Sequence, residues 1–323
     1  MEVILQPRNS SVLTHSGLAC LSRVPTVNLT AGCAHGCLYC YARGYRTYPG
    51  DGKVVVYADT AARLRGELRR RRRPPQAVYF SPSSDLFQLV PAVLETAYDV
   101  LDLLLGRGIG VAFLTKGRIP EPHLALLAAH AGLVHAQVGL TTLDEHVTQA
   151  LEPHAAPPLV RLEQLRRLAS AGIETQARLD PILPGLTDDS DTLESLAAAV
   201  AGAGVRRMAA SLLFVRPAIA ASLARIPDRR MRDALLGAFR AAGPMDIQAD
   251  GSSVIALPAE VRRQTYARLE SSAARHGVAV HVCACKNPDL ATDPCGLSGD
   301  RRRPPRFSQP SLWEEPLLAA CTA

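Results

Sequence analysis

Lysine and aromatic residues are scarce in this chain of 323 residues. Of its 36 cationic side chains only Lys53, Lys116 and Lys286 are lysines, and aromatic residues make up 5% of the sequence. So few aromatic residues argue against a stacking platform for single-stranded nucleic acid. The net charge of +6 still attracts phosphates. The densest positive charge is an arginine run made of Arg63, Arg65 and residues 69–73, which predicts either a solvated helix end or a contact with a phosphate backbone.

Long apolar runs and a secretory signal are also missing. No stretch reaches about eighteen consecutive apolar residues, which argues against a membrane span. The first residues lack a basic segment followed by an apolar one, so we expect no signal peptide and a cytoplasmic protein. Apolar residues make up 47% of the chain, which is enough for a sizeable core.

From about Val27 onward, short apolar stretches alternate with amphipathic ones. The predicted strands are Thr26–Thr30, Ala77–Phe80, Gly110–Thr115, Val134–Leu140, Glu174–Leu179, Arg206–Leu213 and, near the end, Val278–Val282. The predicted helices include Ala92–Gly106, Leu159–Gly172 and Asp191–Gly202. This alternation is typical of βα units and a parallel sheet. We therefore predict an α/β fold, a partial (β/α)6 barrel of the TIM type with a mainly helical C-terminal extension.

Four segments follow from this pattern. Residues 1–25 are expected to form an irregular N-terminal arm, and residues 26–215 the barrel core. Residues 216–300 are expected to form the helical extension, and residues 301–323, rich in proline and arginine, a loosely ordered tail.

Three cysteines follow the first predicted strand with C-x3-C-x2-C spacing, namely Cys33, Cys37 and Cys40. Three thiolates in so short a segment can surround one [4Fe–4S] cluster, and because a cubane has four irons, one iron is left without a protein ligand. An open position of this kind is what a metal site needs to bind a substrate. The alternative is a zinc site made of the same cysteines and His35.

The spacing, with Tyr39 directly before the third cysteine, resembles the radical S-adenosyl-L-methionine (SAM) superfamily. The stretch VNLTAGCAHGCLYCYAR is similar to the branch that includes spore photoproduct lyase, and the resemblance extends from about Val27 to Asp188. It implies an enzyme whose open iron binds SAM. An electron from the cluster then splits SAM into methionine and a 5′-deoxyadenosyl radical, which abstracts a hydrogen atom from the substrate. It also implies an electron donor such as flavodoxin or ferredoxin.

The same resemblance implies which residues contact SAM. Ser84 lies in a stretch, Ser83–Gln88, that resembles the branch's Thr-Asp-x-Tyr-Gln, and Lys116 stands where the branch has a lysine that pairs with the SAM carboxylate. With Tyr39 these are the expected SAM-binding residues. Gly139 stands where relatives often carry a serine, so one polar contact would be missing. Other positions that resemble the branch are Thr141–Asp144, Glu152, Pro153, Arg161, Pro181–Gly185 and Asp188.

Simpler interpretations of these positions stay open. Ser84 suits a capped loop, and Lys116 suits a solvated loop cation. Glu152 and Arg161 are expected either to pair with each other or to shape the pocket, and no residue is assigned a catalytic role.

One departure from the branch concerns the substrate. Spore photoproduct lyase has a cysteine that returns hydrogen to its product at the position that Pro82 occupies here, and proline cannot donate hydrogen in that way. We therefore do not expect repair of the spore photoproduct by that route. The resemblance favours a nucleic acid base or lesion as substrate. The alternatives are a peptide or small metabolite and, in a different class, a zinc-binding adaptor without catalysis.

A second cysteine group lies near the end of the chain and consists of Cys283, Cys285 and Cys295. On an extended segment His281, Cys283 and Cys285 would share one face. The group predicts an auxiliary iron–sulfur cluster or a zinc ion, with His281, Cys20, Cys321 or a substrate atom as fourth ligand. The other interpretations are a thiol that donates hydrogen and inert residues.

Overall fold

The computed structural model describes residues 1–248 and 251–291. Its main feature is an eight-stranded sheet with the order β13-β10-β9-β8-β7-β6-β3-β2. Neighbouring strands of this sheet run parallel, except for the antiparallel pair β2 and β3. The strands are β2 (Thr14–His15), β3 (Pro25–Val27), β6 (Ala77–Phe80), β7 (Gly110–Thr115), β8 (Val134–Gly139), β9 (Glu174–Ile182), β10 (Arg207–Leu212) and β13 (Ala279–Val282).

The predicted parallel strands are confirmed, with bounds that differ by a few residues at most. They lie in the sheet in the order in which they occur along the chain, as βα units require. The last strand, β13, pairs in parallel with β10 and so extends the predicted set of six by one. The α/β partial barrel predicted from the sequence is therefore the observed architecture.

A second, three-stranded sheet is formed by strands from the first 57 residues. It consists of β1 (Glu2–Gln6), β4 (Thr30–Ala31) and β5 (Lys53–Tyr57), with β1 parallel and β4 antiparallel to β5. The expectation of an irregular arm over residues 1–25 is therefore wrong in part, because that segment contains β1 and β2. The pairing of β1 with β5 joins segments far apart in the sequence, which local patterns do not reveal.

Helices connect the strands, and several begin with recognisable caps. The helices are α1 (Thr60–Arg70), α2 (Pro91–Leu105), α3 (Glu121–Ala129), α4 (Glu145–Leu151), α5 (Pro158–Ser170), α6 (Ser190–Gly202), α7 (Pro217–Leu223), α8 (Arg229–Ala238) and α9 (Ala259–Arg275). Asp144, Asp189 and Asp228 each accept hydrogen bonds from backbone N–H groups in the first turn of α4, α6 and α8. Such side chains satisfy donors that a helix start would otherwise leave unpaired.

The segment after residue 215 is helical, as expected, and also contains a hairpin. Strands β11 (Gly243–Asp246) and β12 (Ser253–Ala256) pair in antiparallel fashion within the segment that the sequence predicts to be mainly helical. The predicted tail, residues 301–323, lies outside the described residues, and the boundaries between the four segments stay a prediction. Within residues 1–248 and 251–291, no helix is long and apolar enough to cross a membrane.

The N-terminal arm packs against the sheet beyond β2. Leu21 and Val24 of the arm form one buried group with Tyr79 of β6, Ala112 of β7 and Cys283, which directly follows β13. The arm thus brings the start of the chain next to the end of the last strand.

The anchor of this arm is testable at Glu67 on α1. Its carboxylate accepts hydrogen bonds from the buried backbone N–H groups of Val12, at 2.6 Å, and Leu13, at 3.2 Å. Glu67→Ala leaves both donors unpaired, so we expect the free energy of unfolding to fall by about 1–3 kcal/mol, measured by urea denaturation. Glu95→Ala, at an exposed position of α2, is the matched control. Equal stability of the two variants would contradict this role of Glu67.

Candidate active site

One pocket lies at the carboxyl ends of the parallel strands and gathers the candidate residues. It is lined by Cys33, Cys37, Cys40, Tyr39, Ser84, Lys116, Cys283 and Cys285, among others. Lys116 and Cys283 directly follow β7 and β13, and Ser84 lies in the segment after β6. This is the edge where parallel α/β barrels place their chemistry. The structure therefore brings together the residues predicted from the two ends of the sequence, except Cys295, which lies outside the described residues.

Glycine and arginine shape the loop that carries the first three cysteines. Gly32 has a φ of +80°, and a Cβ there would come within 2.5 Å of the Lys53 carbonyl oxygen, so only glycine fits. Arg43 donates to the carbonyl oxygens of Gly36, at 2.8 Å, and Cys37, at 3.0 Å. The guanidinium thus fixes the backbone of the loop. The sequence position of Arg43, after the third cysteine, did not reveal this role.

Both ring nitrogens of His35 have partners in the protein. Nε2 lies 3.1 Å from Asp85 Oδ2, and Nδ1 lies 3.2 Å from the His154 carbonyl oxygen. The ring is almost fully buried between these groups. His35 is therefore placed to orient the loop and does not join the three cysteines as a fourth zinc ligand.

Asp85 is the centre of the hydrogen bonds around the loop. Its buried carboxylate accepts from the Phe87 and Lys116 backbone N–H groups, both at 2.8 Å, and from Thr115 Oγ1, also at 2.8 Å. Burial opposes ionisation, but the His35 contact and these donors hold the pKa of Asp85 below its ordinary value. One carboxylate thus joins the cysteine loop, the segment after β6 and the end of β7.

Gln88 adds a second tie to the same loop. Its side-chain oxygen accepts from the Ala34 backbone N–H at 2.7 Å, and its nitrogen donates to Thr30 Oγ1 at 3.0 Å and to the Asp85 carbonyl oxygen at 2.7 Å. The aspartate and glutamine of the Ser83–Gln88 stretch therefore have structural roles. Ser84 differs from them, because its buried Oγ has no hydrogen-bond partner among the described residues.

The three thiols are suited to binding a metal centre. Burial raises the pKa of Cys33, Cys37 and Cys40 above the ordinary value, and the nearby carboxylates of Asp85 and Glu152 add to the shift at Cys33 and Cys37 respectively. Metal ligands must be thiolates. A positively charged metal centre would supply the charge that keeps three neighbouring thiolates ionised in this pocket.

Lys116 lies in the pocket and not in solvent. Its Nζ donates to the Asp180 carbonyl oxygen at 3.2 Å and stands 5.5 Å from the centre of the Tyr39 ring. Burial lowers the pKa of its ammonium group. A Cβ at Gly139 would come within 2.8 Å of Lys116 Cγ, so the lysine occupies the space that a serine at 139 would need. Gly139, which replaces the serine often found in relatives, therefore leaves the space that Lys116 occupies.

Glu152 and Arg161 form a buried ion pair behind Tyr39. The side chains are 0% and 1% exposed, and Glu152 also accepts from the Tyr39 hydroxyl and, at 3.2 Å, from Thr141 Oγ1. Burial raises the pKa of Glu152, and the Arg161 guanidinium opposes this shift. Pairing, one of the two roles expected from the sequence, is observed, and Glu152 also holds the tyrosine that precedes the third cysteine of the loop.

The second cysteine group differs from the extended arrangement expected. Strand β13 ends at Val282, and the chain then turns, with the Lys286 and Asn287 backbone N–H groups donating to the Cys283 carbonyl oxygen at 3.1 and 2.9 Å. The alternation that would align Cys285 with His281 is therefore lost. Within residues 1–248 and 251–291, no three His, Cys, Asp or Glu side chains are gathered closely enough to hold a single metal ion.

Charged side chains border the second group. Lys286 Nζ contacts both Asp180 carboxylate oxygens, at 2.7 and 2.6 Å, and the Arg178 guanidinium contacts the same carboxylate at 2.9 Å. Arg216 also lines the pocket.

The arginine run at the end of α1 does not line this pocket. Its residues Arg63, Arg65 and 69–73 are exposed, which agrees with a solvated helix end.

The chain belongs to the radical SAM superfamily, whose family model matches residues 27–197. Membership of this superfamily implies a radical SAM enzyme that uses a [4Fe–4S] cluster and SAM as cofactors. The match spans the strands from β3 to β9, so it covers the cysteine loop, Ser84 and Lys116.

Sequence relatives cover part of the chain. An uncharacterized protein of Mycobacterium tuberculosis is 31% identical over 188 residues, which are 55% of this chain and 55% of that one. The matched part is thus about half the length of this relative. A protein of Pseudomonas phage M6 named radical SAM Nalpha-GlyT isomerase is 27% identical over 160 residues, or 49% of this chain and 33% of that one.

Solved structures share the fold over most of the chain. Spore photoproduct lyase, as a mutant with bound AdoMet and dinucleoside spore photoproduct, covers 87% of this chain and 81% of its own with a TM-score of 0.66 and 13% identity. A radical SAM methyltransferase from Sphaerobacter thermophilus covers 80% of this chain and 66% of its own with a TM-score of 0.51 and 18% identity. At these identities the likeness concerns the fold.

The buried Glu152–Arg161 pair generates a prediction on stability. Glu152→Gln leaves the guanidinium buried without its counter-charge, so we expect the free energy of unfolding to fall by about 3–5 kcal/mol, measured by urea denaturation. Adding Arg161→Met removes the stranded charge and should restore part of the loss.

The matched control is Glu163→Gln, which breaks an exposed pair with Arg166 on the same helix and should leave the unfolding midpoint unchanged. A Glu152→Gln variant as stable as the wild type would show that the buried pair does not need both charges.

Proposed function

We propose that Cys33, Cys37 and Cys40 hold the [4Fe–4S] cluster and that Ser84 and Lys116 bind SAM beside it. The observation that carries this proposal is their position in one pocket, where Ser84 Oγ is buried without a partner among the described residues and the Lys116 ammonium is buried. A buried polar group without a partner is costly unless a ligand completes it. The group on the open iron would be that ligand.

Each side chain has a distinct task in this arrangement. The three thiolates would hold the cluster and leave one iron without a protein ligand, and the bound cluster would supply the electron for the cleavage of SAM. The Lys116 ammonium is suited to the SAM carboxylate, because the two charges attract strongly at short distance in a buried site. Tyr39, held by Glu152, forms the wall that keeps Lys116 in place.

The pocket is also suited to radical chemistry. Its lining includes apolar side chains such as Leu18, Leu21, Leu212 and Phe214. Such a lining excludes water and protects a reactive intermediate from side reactions. A small one-electron carrier such as flavodoxin or ferredoxin is proposed as the donor.

For the substrate we propose a nucleic acid base or lesion. Lys116, Arg178, Arg216 and Lys286 line the pocket together with two carboxylates, and an excess of positive charge favours a phosphate-bearing substrate. The likeness in fold to a lyase solved with a dinucleoside photoproduct supports the same class. Because Pro82 has no thiol hydrogen to donate, the hydrogen transfer that ends the reaction must differ from that of a cysteine at this position.

Cleavage of SAM tests the cofactor site. Reconstituted and reduced wild-type protein is expected to form 5′-deoxyadenosine, detected by mass spectrometry, and Cys37→Ala to form none. Lys116→Met and Ser84→Ala are each expected to raise the Kd for SAM about tenfold or more, through loss of a hydrogen bond to a charged ligand, in equilibrium dialysis.

Another lysine and another serine of the chain serve as controls for these variants. Lys53 is half-exposed and pairs with Glu2, and the Ser83 hydroxyl already donates to Asn28 Oδ1 at 2.9 Å. Lys53→Met and Ser83→Ala should therefore bind SAM as the wild type does. If Lys116→Met and Lys53→Met bind SAM equally well, the proposed role of Lys116 is wrong.

Binding to DNA tests the substrate class. We expect a labelled oligonucleotide to bind reconstituted protein at low salt and the binding constant to fall steeply as salt increases, because cations released from phosphates drive association. Fluorescence anisotropy measures this effect, with polyglutamate as a control for charge alone. No binding at low salt, or equal competition by polyglutamate, would favour a peptide or small metabolite instead.

A further inference from the structure

Three cysteines outside the first loop lie together on the same pocket. Cys20 belongs to a 3-10 helix of the N-terminal arm, Ala19–Leu21, whereas Cys283 and Cys285 follow β13. All three line the pocket that contains Cys33, Cys37 and Cys40. The spacing in the sequence joins Cys283 and Cys285, and only the fold brings Cys20 to them.

The three side chains share one packed group. Cys283 is 2% exposed and packs with Leu21 and Tyr79, and Cys20 and Cys285 lie at the border of that group. None of the cysteines in the described ranges forms a disulfide. No disulfide therefore uses these three sulfur atoms, which belong to side chains on the wall of the pocket.

A buried polar network holds the turn that presents two of these thiols. The Cys283 backbone N–H donates to the Ala210 carbonyl oxygen at 3.1 Å, and its own carbonyl oxygen accepts from Asn287 Nδ2 at 3.1 Å. Asn287, which is fully buried, accepts in turn from Arg262 Nη1 at 3.1 Å and Tyr266 Oη at 3.0 Å. Such fixed backbone reduces the cost of ordering ligands around a metal centre.

The chemistry of three thiols points to a soft metal centre, either zinc or iron with sulfide. Ligands of one zinc ion lie about 4 Å apart, whereas ligands of a cluster bind different irons and lie farther apart. The described side chains of both cysteine groups are spaced too widely for one ion, and the first group belongs to a superfamily that binds a cubane. The second group, like the first, therefore does not fit a single ion, which favours a cluster there too.

We infer that Cys20, Cys283 and Cys285 ligate a second iron–sulfur cluster on the wall of the same pocket. Thiolate ligands give such a cluster negative charge, and the Lys286 and Arg178 side chains, which share the single carboxylate of Asp180, supply the compensating positive charge. Its remaining position is open to a group from the pocket. The inference extends beyond the proposed function and does not depend on the identity of the substrate.

Iron counting tests the second cluster. After anaerobic reconstitution with iron and sulfide, the wild type is expected to hold about eight irons per chain, taking both clusters as cubanes. Cys20→Ala and the double variant Cys283→Ala/Cys285→Ala should each hold about four. A variant without the first site, Cys33→Ala/Cys37→Ala/Cys40→Ala, should also keep about four irons but form no 5′-deoxyadenosine.

Iron retained at one site shows that a variant of the other site is still folded. Variants of the second group that keep about four irons and still cleave SAM are folded. If the double variant fails to fold, Cys20→Ala still tests the second cluster, because it leaves β13 unchanged. Iron unchanged in Cys20→Ala, or no iron in the first-site variant, overturns the second cluster, as does zinc in place of iron. A wild type that holds iron but never cleaves SAM overturns the proposed function and leaves the second cluster supported by its own iron count.

Discussion

The site depends on the buried carboxylate of Asp85. It joins His35 of the cysteine loop to the backbone at Phe87 and Lys116, and so to the ends of β6 and β7. Tyr39 of the loop belongs to an apolar cluster against which Cys37 and Leu38 pack, whereas His35, earlier in the loop, is held by Asp85. Charge-assisted hydrogen bonds in a low dielectric are strong enough to fix the position of this part of the loop. Displacement of this carboxylate would move the loop and Lys116 together.

A second constraint is the space around Lys116. Gly139 leaves room for the lysine stem, and the Tyr39 ring, held by the Glu152–Arg161 pair, closes the other side. The ion pair contributes orientation more than stability, since a buried pair roughly offsets its own desolvation. Gly139, Glu152 and Arg161, to which no cofactor contact is assigned, thus help to determine where the ammonium group stands.

Much of this could be predicted from the sequence. The parallel strands were visible because each is a short apolar run before an amphipathic helix, and the C-x3-C-x2-C loop was visible because its ligands are local. Asp85, Cys20 and the β1–β5 pairing act over long sequence separations, and no local pattern reports such contacts. The turn at Cys283 was missed for a related reason: β13 ends at Val282 because the buried side chain of Asn287 binds the Cys283 carbonyl oxygen.

The two cysteine groups constrain the hydrogen balance of the reaction. A thiolate bound to iron carries no hydrogen, so Cys20, Cys283 and Cys285 cannot serve as cluster ligands and as hydrogen donors at once. Pro82 excludes a donor at the position that the lyase uses, and its carbonyl oxygen accepts from the Tyr41 hydroxyl. If the second group binds a cluster as inferred, a hydrogen atom returned to a product would come from a donor other than these three thiols, such as 5′-deoxyadenosine or a hydroxyl group of the pocket.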